Sequence, residues 1–179
     1  MNAIRGVYEA SPKTFSVNGF AGSGKSFSFN ALIRSVRGLG EIAVSIAWTG
    51  IAAIILEGGR RAHSRFMLPV PTLDNSSCSI RHNTEDGRFL KAAKLIIWDE
   101  CTMTPHHALI AVDRLLRDLT SSNLPFGGKI FVLGGELETD FACCGACKQN
   151  DYRDLLEELT SLEQIQTVFT RYKYENRTR

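Results

Sequence analysis

The stretch VNGFAGSGKS carries the residues whose types and spacing point most directly to chemistry. Gly19-x4-Gly24-Lys25-Ser26 is the spacing of a phosphate-binding loop. In such a loop the glycines let successive backbone N–H groups converge on an anion, and the helix that follows aims its positive end at the same point. All eight positions, Gly19, Phe20, Ala21, Gly22, Ser23, Gly24, Lys25 and Ser26, are candidates for the cradle. Lys25 would reach the terminal phosphates, and the Ser26 hydroxyl would take a place on Mg²⁺. A Gly-rich turn that binds nothing would also fit the glycines alone. The context favours the loop, because TFSV before it reads as a strand and Ser26 to Arg37 after it as a helix.

Hydrolysis of a bound triphosphate also needs a carboxylate on the metal and a group that handles water. LIIWDE supplies both at the end of an apolar strand, with Asp99 placed to hold hydrated Mg²⁺ and Glu100 to orient or deprotonate the water. Two acids after a strand are commonly just solvated turn residues. Downstream of a complete phosphate loop they read as the second half of a nucleotide site, since ligands of open parallel sheets gather at the carboxyl ends of the strands.

The elements that would position these residues follow from hydrophobic patterning. Short apolar runs (TFSV, IAVSIA, KLIIW, KIFVL) alternate with helix-like segments (FSFNALIRSV, TGIAAIILE, HHALIAVDRLLRDL). This predicts an α/β fold, a parallel sheet with helices on both faces. The stretch from Gly58 to Gly87 lacks periodicity and reads as a long irregular insertion. Beyond Glu136 the pattern fades, with YRDLLEELTSL as a short amphipathic helix, QIQTVF as one more strand and RYKYENRTR as a frayed basic end. The expected organisation is an ATP-binding domain over 1–135 and a divergent extension of the same domain over 136–179.

Composition sets outer bounds. A chain of 179 residues, 44% apolar and 22% charged, suits one globular domain with a real core. The formal net charge of +2 neither demands nor excludes a nucleic-acid partner. No run approaches the roughly 20 apolar residues of a membrane span. MNAIRGVYEA has no signal-type apolar core, so a reduced cytosolic or nuclear setting is expected for the five cysteines. CCGAC brings Cys143, Cys144 and Cys147 together, but a structural zinc site would want a second pair or matched histidines.

The motifs GFAGSGKSF, TGIAAIILEGGRRAHSRFMLP, LIIWDECTM, AVDRLLRDL and PFGGKIFVLGGE occur in that order. Together they resemble the petite integration frequency family of 5′-to-3′ ATP-dependent DNA helicases, in particular its Helitron-like branch, over Val7 to Glu136. The resemblance implies a RecA-like first motor domain that uses ATP and Mg²⁺ and contacts single-stranded DNA. It also implies nuclear location and roles in DNA repair, recombination and telomere maintenance. Gly19, Gly22, Gly24, Lys25 and Ser26 would form the ATP cradle, Asp99 and Glu100 the metal and water pair. Thr49, Gly50, His63 and Ser64 fall in the motif that touches the single strand, where backbone contacts and stacking suffice. Read without the family, Thr49 is a helix cap and His63 a loop histidine. Arg60, Arg61 and Arg65 could add phosphate contacts or simply be solvated.

Two departures from the family pattern bear on activity. Glu136 stands where the family has an aspartate after KIFVLGG, and Thr139 where a glutamine senses the γ-phosphate; a threonine lacks the amide's paired donor and acceptor. The chain is expected to end before the second motor domain, which supplies the family's arginine finger. Without that cation a loss on the order of 10³ or more in turnover follows. The alternative is a phosphate-loop module that acts by association without motor activity. A small-molecule kinase shares the loop but has no use for the Thr49 to Pro69 stretch.

Overall fold

In a computed structural model of the chain, residues 13–73 and 75–135 are described in full, and 165–169 as backbone. Strands β1 (Thr14–Asn18), β2 (Ala43–Ala47), β3 (Arg60–Arg61), β4 (Leu95–Asp99), β5 (Ile130–Gly135) and β6 (Ile165–Phe169) form one sheet in the order β3-β2-β4-β5-β1-β6. Every neighbouring pair runs parallel. Helices α1 (Lys25–Gly38), α2 (Gly50–Ile55), α3 (Ala62–Phe66), α4 (Glu85–Ala92) and α5 (His106–Thr120) fill the crossovers.

The period-2 rule of strands explains the two covered faces. Leu95 and Ile97 of β4, with Ile130 and Val132 of β5, pack against Phe29, Ile33 and Val36 of α1. Their neighbours Ile96, Trp98, Phe131 and Leu133 point the other way, into a larger core with Leu90 of α4 and Leu109, Val112 and Leu116 of α5. Continuous apolar strands are what two covered faces require, and all five residues of β2 and of β4 are buried.

The predicted alternation of strands and helices is found, and the QIQTVF strand is present as β6 beside β1. The Gly58 to Gly87 stretch differs from expectation. It holds the edge strand β3, the short helix α3 and the start of α4. Helix α4 had a readable signal: Thr84 caps it by accepting from the Gly87 N–H at 3.1 Å, and Glu85 and Asp86 occupy its first turn. Gly87 inside the first turn hid it; a Cβ there would come within 2.2 Å of the Arg81 carbonyl oxygen, so the close approach excludes a better helix former. Glu136, Thr139, the three clustered cysteines and the YRDLLEELTSL helix lie outside the described residues.

Candidate nucleotide and strand-binding site

Strand register brings the candidate residues together. Asn18 at the end of β1 lies opposite Gly135 of β5, and Ala47 at the end of β2 lies opposite Asp99 of β4. The loops leaving β1, β2 and β4 therefore emerge, beside the end of β5, at one edge of the sheet, the carboxyl edge where open parallel sheets bind ligands.

The loop after β1 hangs from this edge by the Gly19 N–H, which donates to the Gly135 carbonyl at 3.3 Å. Gly22 and Gly24 adopt left-handed backbone, with φ of 77° and 86°. Gly24 is also the N-cap of α1 and offers no side chain, so no side-chain cap occupies the first turn of the helix. The Lys25 ammonium folds back over the loop and donates to the carbonyls of Gly19 and of Phe20, the latter at 3.1 Å.

Beside the loop runs a cleft of about 380 Å³. All of Phe20 to Ser26 line it, together with Asp99, Glu100 and Gly135. The predicted phosphate cradle and the predicted acid pair thus share one cavity. Asp99 is buried and Glu100 half-buried. Glu100 has a left-handed backbone (φ 53°, ψ 37°), and its N–H donates to Asp99 Oδ1 at 2.9 Å. A non-glycine residue in that region is uncommon and marks a turn held by its surroundings. It turns the Glu100 side chain out of the strand direction and toward the loop after β2.

Ser26 Oγ and the Asp99 carboxylate are hard oxygen donors on the wall of this cleft. Magnesium binds through one or two such protein groups plus substrate phosphates rather than in an all-protein cage, so the donor set fits it. Among the described residues no cluster of three or more His, Cys, Asp or Glu side chains gathers.

The second group of candidates begins right after β2. Thr49 is the N-cap of α2, its Oγ1 accepting from the Ala52 N–H at 3.3 Å, as the cap reading requires. The same hydroxyl donates to Glu100 Oε2 at 2.7 Å, a contact not anticipated from the sequence. Gly50 is exposed at the start of α2, and Ala52 and Ile55 of that helix line the same cleft. His63 of α3 packs its ring on Trp48, centroids 4.2 Å apart. Burial, and secondarily the Arg61 charge, lowers the His63 pKa, which favours the neutral, stacking form. Ser64 is exposed on α3. Trp48 was missed by sequence reasoning, although an aromatic at the end of a strand beside a polar loop is the type of residue on which bases stack.

The arginines divide. Arg60 and Arg61 are exposed on β3, whereas Arg65 lies over the Phe89 ring at 4.9 Å and faces Asp86 at 4.0 Å. Arg65 is part of the packing between α3 and α4. No helix among the described residues is long and apolar enough to cross a membrane.

Comparison with known proteins agrees with this geometry. The family model described as PIF1-like helicase matches residues 1–161. The ATP-dependent DNA helicase PIF1 of Candida albicans is 31% identical over 121 residues, covering 66% of this chain and 13% of that protein. The ATP-dependent DNA helicase Pif1 of Campylobacter jejuni is 31% identical over 125 residues, covering 66% of this chain and 27% of that protein. Among solved structures, Bacteroides Pif1 bound to ssDNA superposes with a TM-score of 0.63 at 25% identity, over 94% of this chain and 40% of that one. Bacteroides sp Pif1 in complex with ADP-AlF4 gives a TM-score of 0.65 at 25% identity, over 96% of this chain and 40% of that one. The chain therefore spans well under half the length of these relatives. With the RecA-like fold, the phosphate loop and the acid pair in one cleft, and a family match over most of its length, the chain belongs to the PIF1-like helicase family.

Proposed function

We propose that the chain is the ATP-binding motor domain of a 5′-to-3′ DNA helicase, binding ATP with Mg²⁺ in the cleft above β1 and β4 and a single DNA strand beside Trp48, Thr49, Gly50, His63 and Ser64. The observation that carries this reading is the single cleft lined by both the phosphate loop and the Asp99–Glu100 pair. A turn of glycines alone would bind any anion; the two acids add what hydrolysis needs.

The roles follow from charge and geometry. The backbone N–H groups of Gly22 to Ser26 and the unfilled first turn of α1 hold the phosphates. Lys25 leaves the Gly19 and Phe20 carbonyls and extends to the terminal phosphate oxygens, so its ammonium is the group that distinguishes a triphosphate from smaller anions. Ser26 and Asp99 would hold Mg²⁺, whose chemical contribution is to offset the charge developing between the β and γ phosphates. Glu100 orients the attacking water and accepts its proton. The strand side reads no sequence: Trp48 and the neutral His63 offer stacking faces, and Arg60 and Arg61 meet backbone phosphates. In the Bacteroides relative a complex with ssDNA exists, which supports carrying a DNA partner to this chain.

Turnover is fast only where an arginine finger, as the family resemblance implies, reaches the terminal phosphate, since such a group contributes on the order of 10³ or more. The family resemblance of the motifs extends this reading to a nuclear setting and to work in DNA repair, recombination and telomere maintenance.

The test is ATP turnover by the purified chain in Mg²⁺, with and without an oligothymidylate, next to fluorescence anisotropy of the same labelled oligonucleotide. DNA binding together with DNA-stimulated turnover is the expected result. Nucleotide binding with no DNA binding would replace the reading with a phosphate-loop module that has no motor role.

A further inference from the structure

We propose that Thr49 is a positioning residue that couples the orientation of the Glu100 carboxylate to occupation of the neighbouring Trp48–His63 surface by a nucleic-acid strand. The inference rests on the functional reading above and adds to it a specific connection between the two halves of the site.

A threonine hydroxyl has one proton and two lone pairs. The proton of Thr49 goes to Glu100 Oε2 at 2.7 Å, and one lone pair takes the Ala52 N–H at 3.3 Å. The Thr49 carbonyl in turn accepts from the Ala53 N–H at 3.2 Å, so the residue is held by the first turn of α2 through both its side chain and its backbone. Glu100 is likewise held at two points, its N–H by Asp99 and its carboxylate by Thr49. The backbone anchor belongs to its own turn. The carboxylate anchor belongs to a different loop, reached only because Ala47 and Asp99 are register partners and the next two residues on each strand leave the sheet side by side.

That second anchor is the movable one. Thr49 follows Trp48 directly, and Trp48 carries the His63 ring 4.2 Å away. Both rings are only half-buried, so a base stacking on them works against a loop rather than against the core. A displacement of Trp48 is passed to Thr49 through one peptide unit, and a hydrogen bond to a carboxylate falls off steeply once distance and angle depart from their optimum. Freed from Thr49, the Glu100 carboxylate turns into the cleft that it already lines, where the attacking water would stand. Held by Thr49, one of its carboxylate oxygens is already taken by the hydroxyl proton and faces the start of α2.

The experiment uses the full chain with ¹³C-labelled glutamate, the Glu100 carboxylate resonance being assigned by its loss in Glu100→Gln. Oligothymidylate is titrated while anisotropy follows binding. In the wild-type chain the Glu100 resonance moves as DNA binds. In Thr49→Val, which keeps the shape and removes both the donor to Glu100 and the cap on the Ala52 N–H, the resonance is already displaced without DNA and DNA moves it no further. Thr49→Ser, which restores the donor, restores the wild-type response. Where turnover is followed, Thr49→Val loses the fold-stimulation by DNA and Thr49→Ser regains it.

Oligothymidylate that binds the wild-type chain and leaves the Glu100 resonance in place would overturn the coupling while leaving the functional reading intact, and this arm needs no variant to fold. A wild-type response in Thr49→Val would overturn it equally. No binding of oligothymidylate would remove the functional reading, and the coupling with it.

Discussion

Gly134 and Asp99 sit so close that no side chain fits between them: a Cβ on Gly134 would lie 2.9 Å from Asp99 Oδ1 and 2.6 Å from the Phe29 ring. The glycine pair ending β5 thus serves the acid pair ending β4. Gly135 plays a similar part, since its Cβ would meet Thr102 at 2.7 Å, in the turn that follows Glu100. Gly134→Ala pushes Asp99 and Phe29 apart. The expected cost is about 1–3 kcal/mol of stability, as for other overpacked cores, seen in urea unfolding, with a weakened response of nucleotide affinity to Mg²⁺. Wild-type stability and Mg²⁺ dependence in the alanine variant would mean that the two strands yield without moving the acid.

Glu100→Gln keeps the size and polarity of the side chain and removes the proton acceptor. Nucleotide affinity should be retained and turnover should fall by about 10²–10⁴, the usual contribution of a positioned general base. Single-turnover hydrolysis measures this directly. Undiminished turnover would take Glu100 out of the chemistry.

Lys129 makes a prediction about stability at high pH. It is buried just before β5, donates to the Lys91 and Ala93 carbonyls at 2.8 Å each, and its pKa is pushed down to about 8 by burial and by the Lys94 and Lys91 charges. The unfolded chain, with an ordinary lysine near 10.5, binds more protons than the folded one between about pH 8 and 10.5. Stability attributable to this residue therefore rises with pH across that window and is lost again as pH falls through 8. Thermal unfolding from pH 7 to pH 10 should show a steeper upward trend in the wild type than in Lys129→Met. Parallel curves would show that the ammonium is not penalised by folding.

Much of the fold was legible because the local signals agree with one another. The strands TFSV, IAVSIA, KLIIW and KIFVL are continuous apolar runs, and burial on both faces is what such runs require. The phosphate loop and the acid pair were legible for the same reason, each following a strand end at the ligand-binding edge. What escaped notice depends on register and on close approach. Nothing in the sequence pairs Thr49 with Glu100, since that contact exists only because β2 and β4 are neighbours and end together. Trp48 falls between the IAVSIA strand and the TGIAAIILE helix, and its ring contact with His63 depends on how α3 returns to the sheet edge. Helix α4 was hidden by a glycine whose purpose is clearance from a carbonyl rather than flexibility.

The central claim is that the cleft beside residues 20–26 is a nucleotide-phosphate site. Titration of a fluorescent ATP analogue into the wild-type chain and into Lys25→Ala, in Mg²⁺, tests it most directly. Saturable binding in the wild type and its loss in a variant that unfolds within about 0.5 kcal/mol of it, as a change at the partly exposed first residue of α1 should, is the predicted result. Equal affinity in the two proteins would contradict the account.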